Sequence, residues 1–284
     1  MKHLKSSRAV VVGALLALSA IRLCANSVDV VFYDNRFGSI NDTTGSWTQI
    51  STLPIDKAGG VAISNNLMYL EDFGDNLFTV DSITGAAHLV GNTGLGLSIG
   101  AFAGGNTGLF EIDWSSNLYS INPATGKGAK IGATGLVANN GAFDTSLSMS
   151  GGSLYYTAGR AGQADELYLL NPATAAATDL GSTGVTGIAG SALVNGQLEL
   201  YQYGQSTNYI YSAPVNTLED STHFTRGAVL QAQIIDGGVA VPNAAVTSAS
   251  PENTPEPATI ALAGFGLLVV AVVLRRRRVL APVN

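Results

Sequence analysis

The sequence predicts an all-β fold, a β-propeller of five four-stranded blades, and three observations carry that prediction. A turn motif recurs four times, at intervals of 40, 41 and 49 residues. A second marker, an apolar triplet, keeps nearly the same spacing, with steps of 42, 45 and 44 residues. Between these markers glycines and Asx turns recur too often for helices of ordinary length to fit. Periods of about 40 to 50 residues are those of propeller blades, small antiparallel sheets that cannot bury their faces alone.

The turn motif is Ser39-Ile40-Asn41-Asp42-Thr43-Thr44-Gly45, then Thr79-Val80-Asp81-Ser82-Ile83-Thr84-Gly85, then Ser120-Ile121-Asn122-Pro123-Ala124-Thr125-Gly126, then Leu169-Leu170-Asn171-Pro172-Ala173-Thr174-Ala175. In each copy the apolar residue ends a strand and the Asn or Asp can bond the backbone that follows. Thr-Gly then completes the turn. Strands flank it as a hairpin requires: Leu118 to Ile121 and Leu167 to Leu170 enter, Ala129 to Ile131 and Thr178 to Leu180 leave. The second marker, Leu67-Met68-Tyr69, Leu109-Phe110-Glu111, Leu154-Tyr155-Tyr156 and Leu198-Glu199-Leu200, is the strand before it.

Four blades follow at about 57–96, 97–137, 141–185 and 186–232, the last being the least regular. Residues 28–53 supply outer strands without an inner one. Gly237-Gly238-Val239-Ala240-Val241 resembles the inner strand Gly59-Gly60-Val61-Ala62-Ile63, with no blade after it. Joining 28–53 to 234–241 makes a fifth blade from both ends of the domain, closing the ring and hiding edges that would template aggregation. A β-sandwich or a parallel β-helix is the structural alternative.

Both ends of the chain carry sorting features. Lys2, Lys5 and Arg8, the apolar stretch Ala9 to Ala20 and the small residues Ala25-Asn26-Ser27 form a signal peptide over 1–27, cut by signal peptidase near Ser27. Cys24, the one cysteine, leaves with it, which removes thiol chemistry, disulfides and Cys-based metal sites from the exported chain. Residues 28–242 form the repeat domain, and 243–257 are a linker rich in small polar residues that ends in Pro255-Glu256-Pro257. Ala258 to Leu274 is an uncharged apolar run of 17 residues, long enough as a helix of roughly 25 Å to span a membrane with little to spare. Arg275, Arg276, Arg277 and Arg278 stop it and keep residues 275–284 cytoplasmic, so everything before Pro255 faces outward.

This tail, with its Pro-Glu-Pro, span and basic cluster over about 254–279, resembles the PEP-CTERM sorting signal of Gram-negative bacteria. The resemblance implies an exosortase-type processing enzyme as partner. It also implies inner-membrane anchoring before processing, then a place on the cell surface or in an extracellular, exopolysaccharide-rich matrix. Such tails sit on many unrelated cargo domains, some of them ice-binding, so the resemblance speaks to destination more than to activity.

Charge narrows the partners. Of the 14 Lys and Arg, four lie in the signal peptide and four in the tail, leaving six to residues 28–257, which hold all 20 acidic residues: a net charge of −14. Such a domain repels nucleic acid and other polyanions, while neutral polysaccharides, surface proteins and divalent cations stay compatible.

Catalytic signals are sparse. His88 and His223 fall on different blades with no metal-ligand spacing between them, and no Gly-x-Ser-x-Gly elbow is present. The expectation is a non-catalytic interaction module without a cofactor. A metal-dependent propeller hydrolase or lactonase is the alternative, and an ice-binding or other adhesion protein is a third reading. Two constellations stand out. Glu71, Asp72 and Asp75 crowd a hairpin with the oxygen-rich composition Ca²⁺ uses, although EF-hand spacing is missing and a solvated acidic hairpin is the simpler reading. Trp114, Tyr201 and Tyr203 are aromatics beside strand ends, where flat faces can stack on sugar rings.

Overall fold

A computed structural model describes residues 27–32, 34–96, 99–136, 145–160, 162–219, 223–231 and 241–242. The signal peptide up to Asn26, the linker, the Pro-Glu-Pro motif, the apolar run 258–274 and the arginine cluster lie outside the described residues. No helix among the described residues is long and apolar enough to cross a membrane.

The described chain folds as five four-stranded antiparallel sheets, the blades of a propeller. Blade 1 holds β1 (Ser27–Val31), β2 (Arg36–Asn41) and β3 (Trp47–Thr52), with β20 (Val241–Pro242) as its inner strand. Blade 2 is β4 (Ala58–Ser64), β5 (Leu67–Asp72), β6 (Asn76–Val80) and β7 (Ala87–Asn92). Blade 3 is β8 (Ile99–Gly105), β9 (Gly108–Asp113), β10 (Asn117–Ile121) and β11 (Gly128–Ala133). Blade 4 is β12 (Thr145–Ser150), β13 (Ser153–Arg160), β14 (Gln163–Leu170) and β15 (Ala177–Ser182). Blade 5 is β16 (Ile188–Val194), β17 (Gln197–Gln202), β18 (Tyr209–Pro214) and β19 (Thr225–Val229), with a 3₁₀ turn at Val215–Thr217. The inner strands β4, β8, β12, β16 and β20 neighbour one another in that order, and β20 returns to β4, so the ring is closed.

Closure uses a blade built from both ends of the domain. Val241 opposes Asp29 and Pro242 opposes Val28. Only Val241 of the expected 234–241 segment is in that ladder; residues 234–240 lie outside the described residues. Proline is tolerated there because an innermost strand needs its donors on one side only.

The recurring motif is a hairpin turn and more. The Asn41 side-chain oxygen accepts from Thr43 and Thr44 amides at 3.1 and 2.8 Å, and Asp81 does the same for Ile83 and Thr84 at 2.9 and 2.8 Å. Asn122 and Asn171 repeat the bond to Ala124 and Ala173. Each turn also packs on the outer strand of the preceding blade. A Cβ on Gly45 would lie 1.9 Å from the Val229 carbonyl of β19, and one on Gly85 would lie 1.9 Å from the Ser51 hydroxyl of β3. Gly126 approaches Gly91 of β7 in the same way. In the fourth copy the small residues are shared out differently: Ala175 takes the left-handed position at φ 63°, and Gly132 on β11 makes room for it.

The core is divided among the five junctions between blades. Val31, Phe37 and Leu53 of blade 1 pack on Val61, Met68 and Leu70 of blade 2. Ile112 and Leu118 of blade 3 meet Leu147, Tyr156 and Tyr168 of blade 4. Tyr155 and Leu167 meet Leu198 and Leu200 across blades 4 and 5, and Tyr201 and Ile210 meet Val30, Phe32 and Ile40 across blades 5 and 1. The junction of blades 2 and 3 has a smaller apolar set, Ala62, Tyr69, Leu77, Phe102, Leu109 and Ile121. Both faces of each sheet are therefore covered, and one face of a blade never sees water as it would in an open sheet.

Candidate functional site

Antiparallel strand order gives the ring two ends. Hairpins between first and second and between third and fourth strands lie at one end. Hairpins between second and third strands, with the loops from blade to blade, lie at the other.

The second end carries Asp72, Asp75 and Asp113. Asp72 closes the β5–β6 hairpin: its Oδ1 accepts from the Gly74 and Asn76 amides at 2.9 and 2.8 Å, and Asn76 Nδ2 reaches both oxygens at 3.2 Å. Asp113 does the same one blade on, accepting from Ser115 and Asn117 at 2.9 and 2.8 Å and from the Tyr119 hydroxyl at 3.1 Å. These two aspartates build turns, and their oxygens are occupied. Asp75 sits at the turn with φ 60°, and its carbonyl accepts from the Thr93 amide at 2.7 Å.

Glu71 overturns the expected solvated hairpin, because it is fully buried. It faces Glu111 of β9, also fully buried, across the junction of blades 2 and 3. No hydrogen bond of ordinary geometry reaches their four carboxyl oxygens or the buried Thr93 hydroxyl, although the two carboxyls face each other and Thr93 faces Glu71. Burial pushes the Glu71 carboxyl well above the usual range, and the charges of Glu111 and Asp75 add to it, while Thr93 opposes. Burial first, then Asp75 and Asp113, push Glu111 up to about 8, with Glu71 itself pulling the other way. Glu111 escaped notice in the sequence, although its place in Leu109-Phe110-Glu111 beside Leu67-Met68-Tyr69-Leu70-Glu71 was the available signal.

The aromatic set does not come together. Trp114 stands 44% exposed on the β9–β10 hairpin. Tyr203 is half-buried after β17, packed against the junction of blades 5 and 1. Tyr201 is 1% exposed, so no face is free for a sugar. Its hydroxyl donates to Glu199 Oε2 at 2.5 Å. Burial raises Glu199 to about 7, a shift the Tyr201 bond opposes and Asp42 reinforces. Both histidines, His88 and His223, are exposed.

At the opposite end a groove of about 630 Å³ opens between blades 4 and 5. Ser150 and Ser153 come from the β12–β13 hairpin and Gln197 from the start of β17, while Asn216 and Glu219 follow β18 and Tyr155 forms part of the wall. The 3₁₀ turn that breaks the repeat in blade 5 places Asn216 and Glu219 there. Sequence reasoning missed this groove because the turn motif is replaced at that point by Pro214-Val215-Asn216. Among the described residues no three acidic, imidazole or thiol groups converge as a cation cage.

Comparison with known proteins separates the tail from the ring. Residues 253–278 match the PEP-CTERM protein-sorting motif, which implies an exported, exosortase-processed protein. No curated protein matches the chain. Among solved structures, a structural-genomics protein of unknown function from Bacteroides thetaiotaomicron VPI-5482 is similar, at 15% identity and a TM-score of 0.53. That match covers 71% of this chain and 55% of that one, so the chain spans about half the length of that protein. A chain of a nidogen/laminin complex matches at 10% identity and a TM-score of 0.49, covering 76% of this chain and 98% of that one, a likeness that carries no argument. At such identities the likeness shows the fold alone.

Proposed function

We propose that this protein is an exported surface or matrix protein whose propeller is a non-catalytic binding module, and that the groove between blades 4 and 5 takes a neutral, hydroxyl-rich ligand such as a polysaccharide. The groove's lining is the observation that carries this reading. Hydroxyls of Ser150 and Ser153, amides of Gln197 and Asn216, the Glu219 carboxylate and Tyr155 suit a sugar's alternating donors and acceptors. Its volume falls in the range of small-ligand sites, and the net charge of −14 counted above argues against a polyanion.

In this reading the signal peptide directs export and the run 258–274 holds the protein in the inner membrane, with Arg275 to Arg278 inside, until exosortase acts near Pro255-Glu256-Pro257. The intact mass of the released protein reports both cuts.

A polysaccharide array probed with the full chain tests the ligand class. Asn216→Ala and Glu219→Ala should each weaken binding about fivefold or more, and Trp114→Ala should leave it unchanged. Loss with Trp114→Ala alone would move the site to the other end of the ring. Chelator-sensitive turnover of an ester or lactone would replace the binding module with an enzyme.

A further inference from the structure

We propose that Glu71 and Glu111, together with the Thr93 hydroxyl, bind a Ca²⁺ ion between blades 2 and 3 and fasten those two blades to each other. Position within the repeat is the first observation. The second strand of each blade offers two successive buried positions, the earlier facing the preceding blade and the later facing the next. Val31 meets Leu70 at the first junction, Ile112 meets Tyr156 at the third and Tyr201 meets Val30 at the fifth. Thr157 and Leu200 hold the matching registers at the fourth. The second junction alone among these places two carboxyl groups there, Glu71 and Glu111.

Thr93 is the second observation and an independent one. Three equivalent threonines follow the outer strands of blades 2, 3 and 4, and their amides donate to the carbonyls of Asp75, Ser116 and Asp165. The Thr134 hydroxyl also donates to Ser116 O at 2.9 Å, and Thr183 to Asp165 O at 2.8 Å. Thr93, 2% exposed, makes no such bond and is directed to Glu71 instead. Two carboxyl groups and this hydroxyl put five buried oxygens side by side, none of them in a hydrogen bond of ordinary geometry.

Leaving such oxygens bare costs about 1–3 kcal/mol for each group, more if charged, and a hard cation removes that penalty. Asp75 and Asp113 add negative potential at the same place. Ca²⁺ accepts six to eight oxygens in irregular geometry, so two bidentate glutamates, a hydroxyl and water suit it. Mg²⁺ demands a near-octahedral set and releases water reluctantly. With no third acidic or imidazole ligand converging among the described residues, the expected affinity is that of extracellular modules, about 0.1–1 mM.

The test uses the full chain stripped with EGTA, followed by calorimetric titration and thermal unfolding with CaCl₂ or MgCl₂. One Ca²⁺ should bind per chain, and 10 mM CaCl₂ should raise the unfolding midpoint by about 3–8 °C, with MgCl₂ at least tenfold weaker. Glu71→Gln and Glu111→Gln should each weaken Ca²⁺ binding at least tenfold, and Thr93→Val should weaken it severalfold. Asp56→Asn, which removes an exposed charge elsewhere, should leave it unchanged. An unresponsive wild-type chain would overturn the proposal and leave the carboxyls holding a proton between them. Equal Ca²⁺ responses in the wild type and in any Gln variant that folds would overturn it as well.

Discussion

The junctions on either side of blade 3 follow one plan and are filled with opposite chemistry. Toward blade 4, Ile112 lies against Tyr156 in a large apolar cluster, and the Thr134 hydroxyl is bonded to Ser116 O. Toward blade 2, Glu71 lies against Glu111, and the Thr93 hydroxyl is turned toward Glu71. Each blade at both junctions is a four-stranded antiparallel sheet. The ring therefore tolerates a junction that is not optimised for packing, as long as its neighbours are. Two buried carboxyls at a position that apolar residues fill elsewhere in the ring cost desolvation that an apolar pair would not.

Replacing side chains at the two junctions should give effects of opposite sign. Ile112→Ala is expected to cost about 2–5 kcal/mol, because the residue is fully buried and the cavity cannot close against Tyr156. The double change Glu71→Leu/Glu111→Leu, measured in EGTA, is expected to stabilise by about 1–4 kcal/mol by giving this junction the chemistry of its neighbours. Urea unfolding of the two variants reads both values. Destabilisation by the double change would mean that the carboxyl pair holds the junction together without a cation.

A smaller effect concerns Glu199, another buried acid, at the junction of blades 5 and 1. Its folded pKa of about 7 lies above the ordinary 4.5, so the folded state holds more protons between those values. Glu199 thus adds stability that is fully present below about pH 4.5 and is lost as pH rises through 7. The loss is on the order of 1–3 kcal/mol, and Glu199→Gln should remove that part of the slope in unfolding experiments from pH 5 to 8. An unchanged slope in the variant would show that Glu199 is not its source.

The turn contacts should differ least. A Cβ on Gly91 would come within 2.3 Å of Thr125 O, whereas one on Gly132 would stay 3.2 Å from Thr174 O. Gly91→Ala is expected to cost about 1–3 kcal/mol and Gly132→Ala less than about 1, compared by their thermal midpoints. Equal costs would show that the two turns sit on their neighbouring strands alike.

The sequence by itself determined the all-β class, the five blades, the blade shared between both ends of the domain and the sorting tail. Each is written in linear order: Asn41, Asp81, Asn122 and Asn171 mark the same hairpin by local bonding, and Pro255-Glu256-Pro257, an apolar run and four arginines are read in succession. Tertiary structure alone decided what meets what across the blades. Alternation along a strand separates two faces, but in a propeller both are buried, so Leu70 and Glu71 are equally inside and nothing local says that Glu71 will find Glu111. For the same reason Tyr201 looked like a surface aromatic and is a core residue bonded to Glu199, and the groove beside Asn216 and Glu219 arises only where blade 5 departs from the repeat and is set against blade 4.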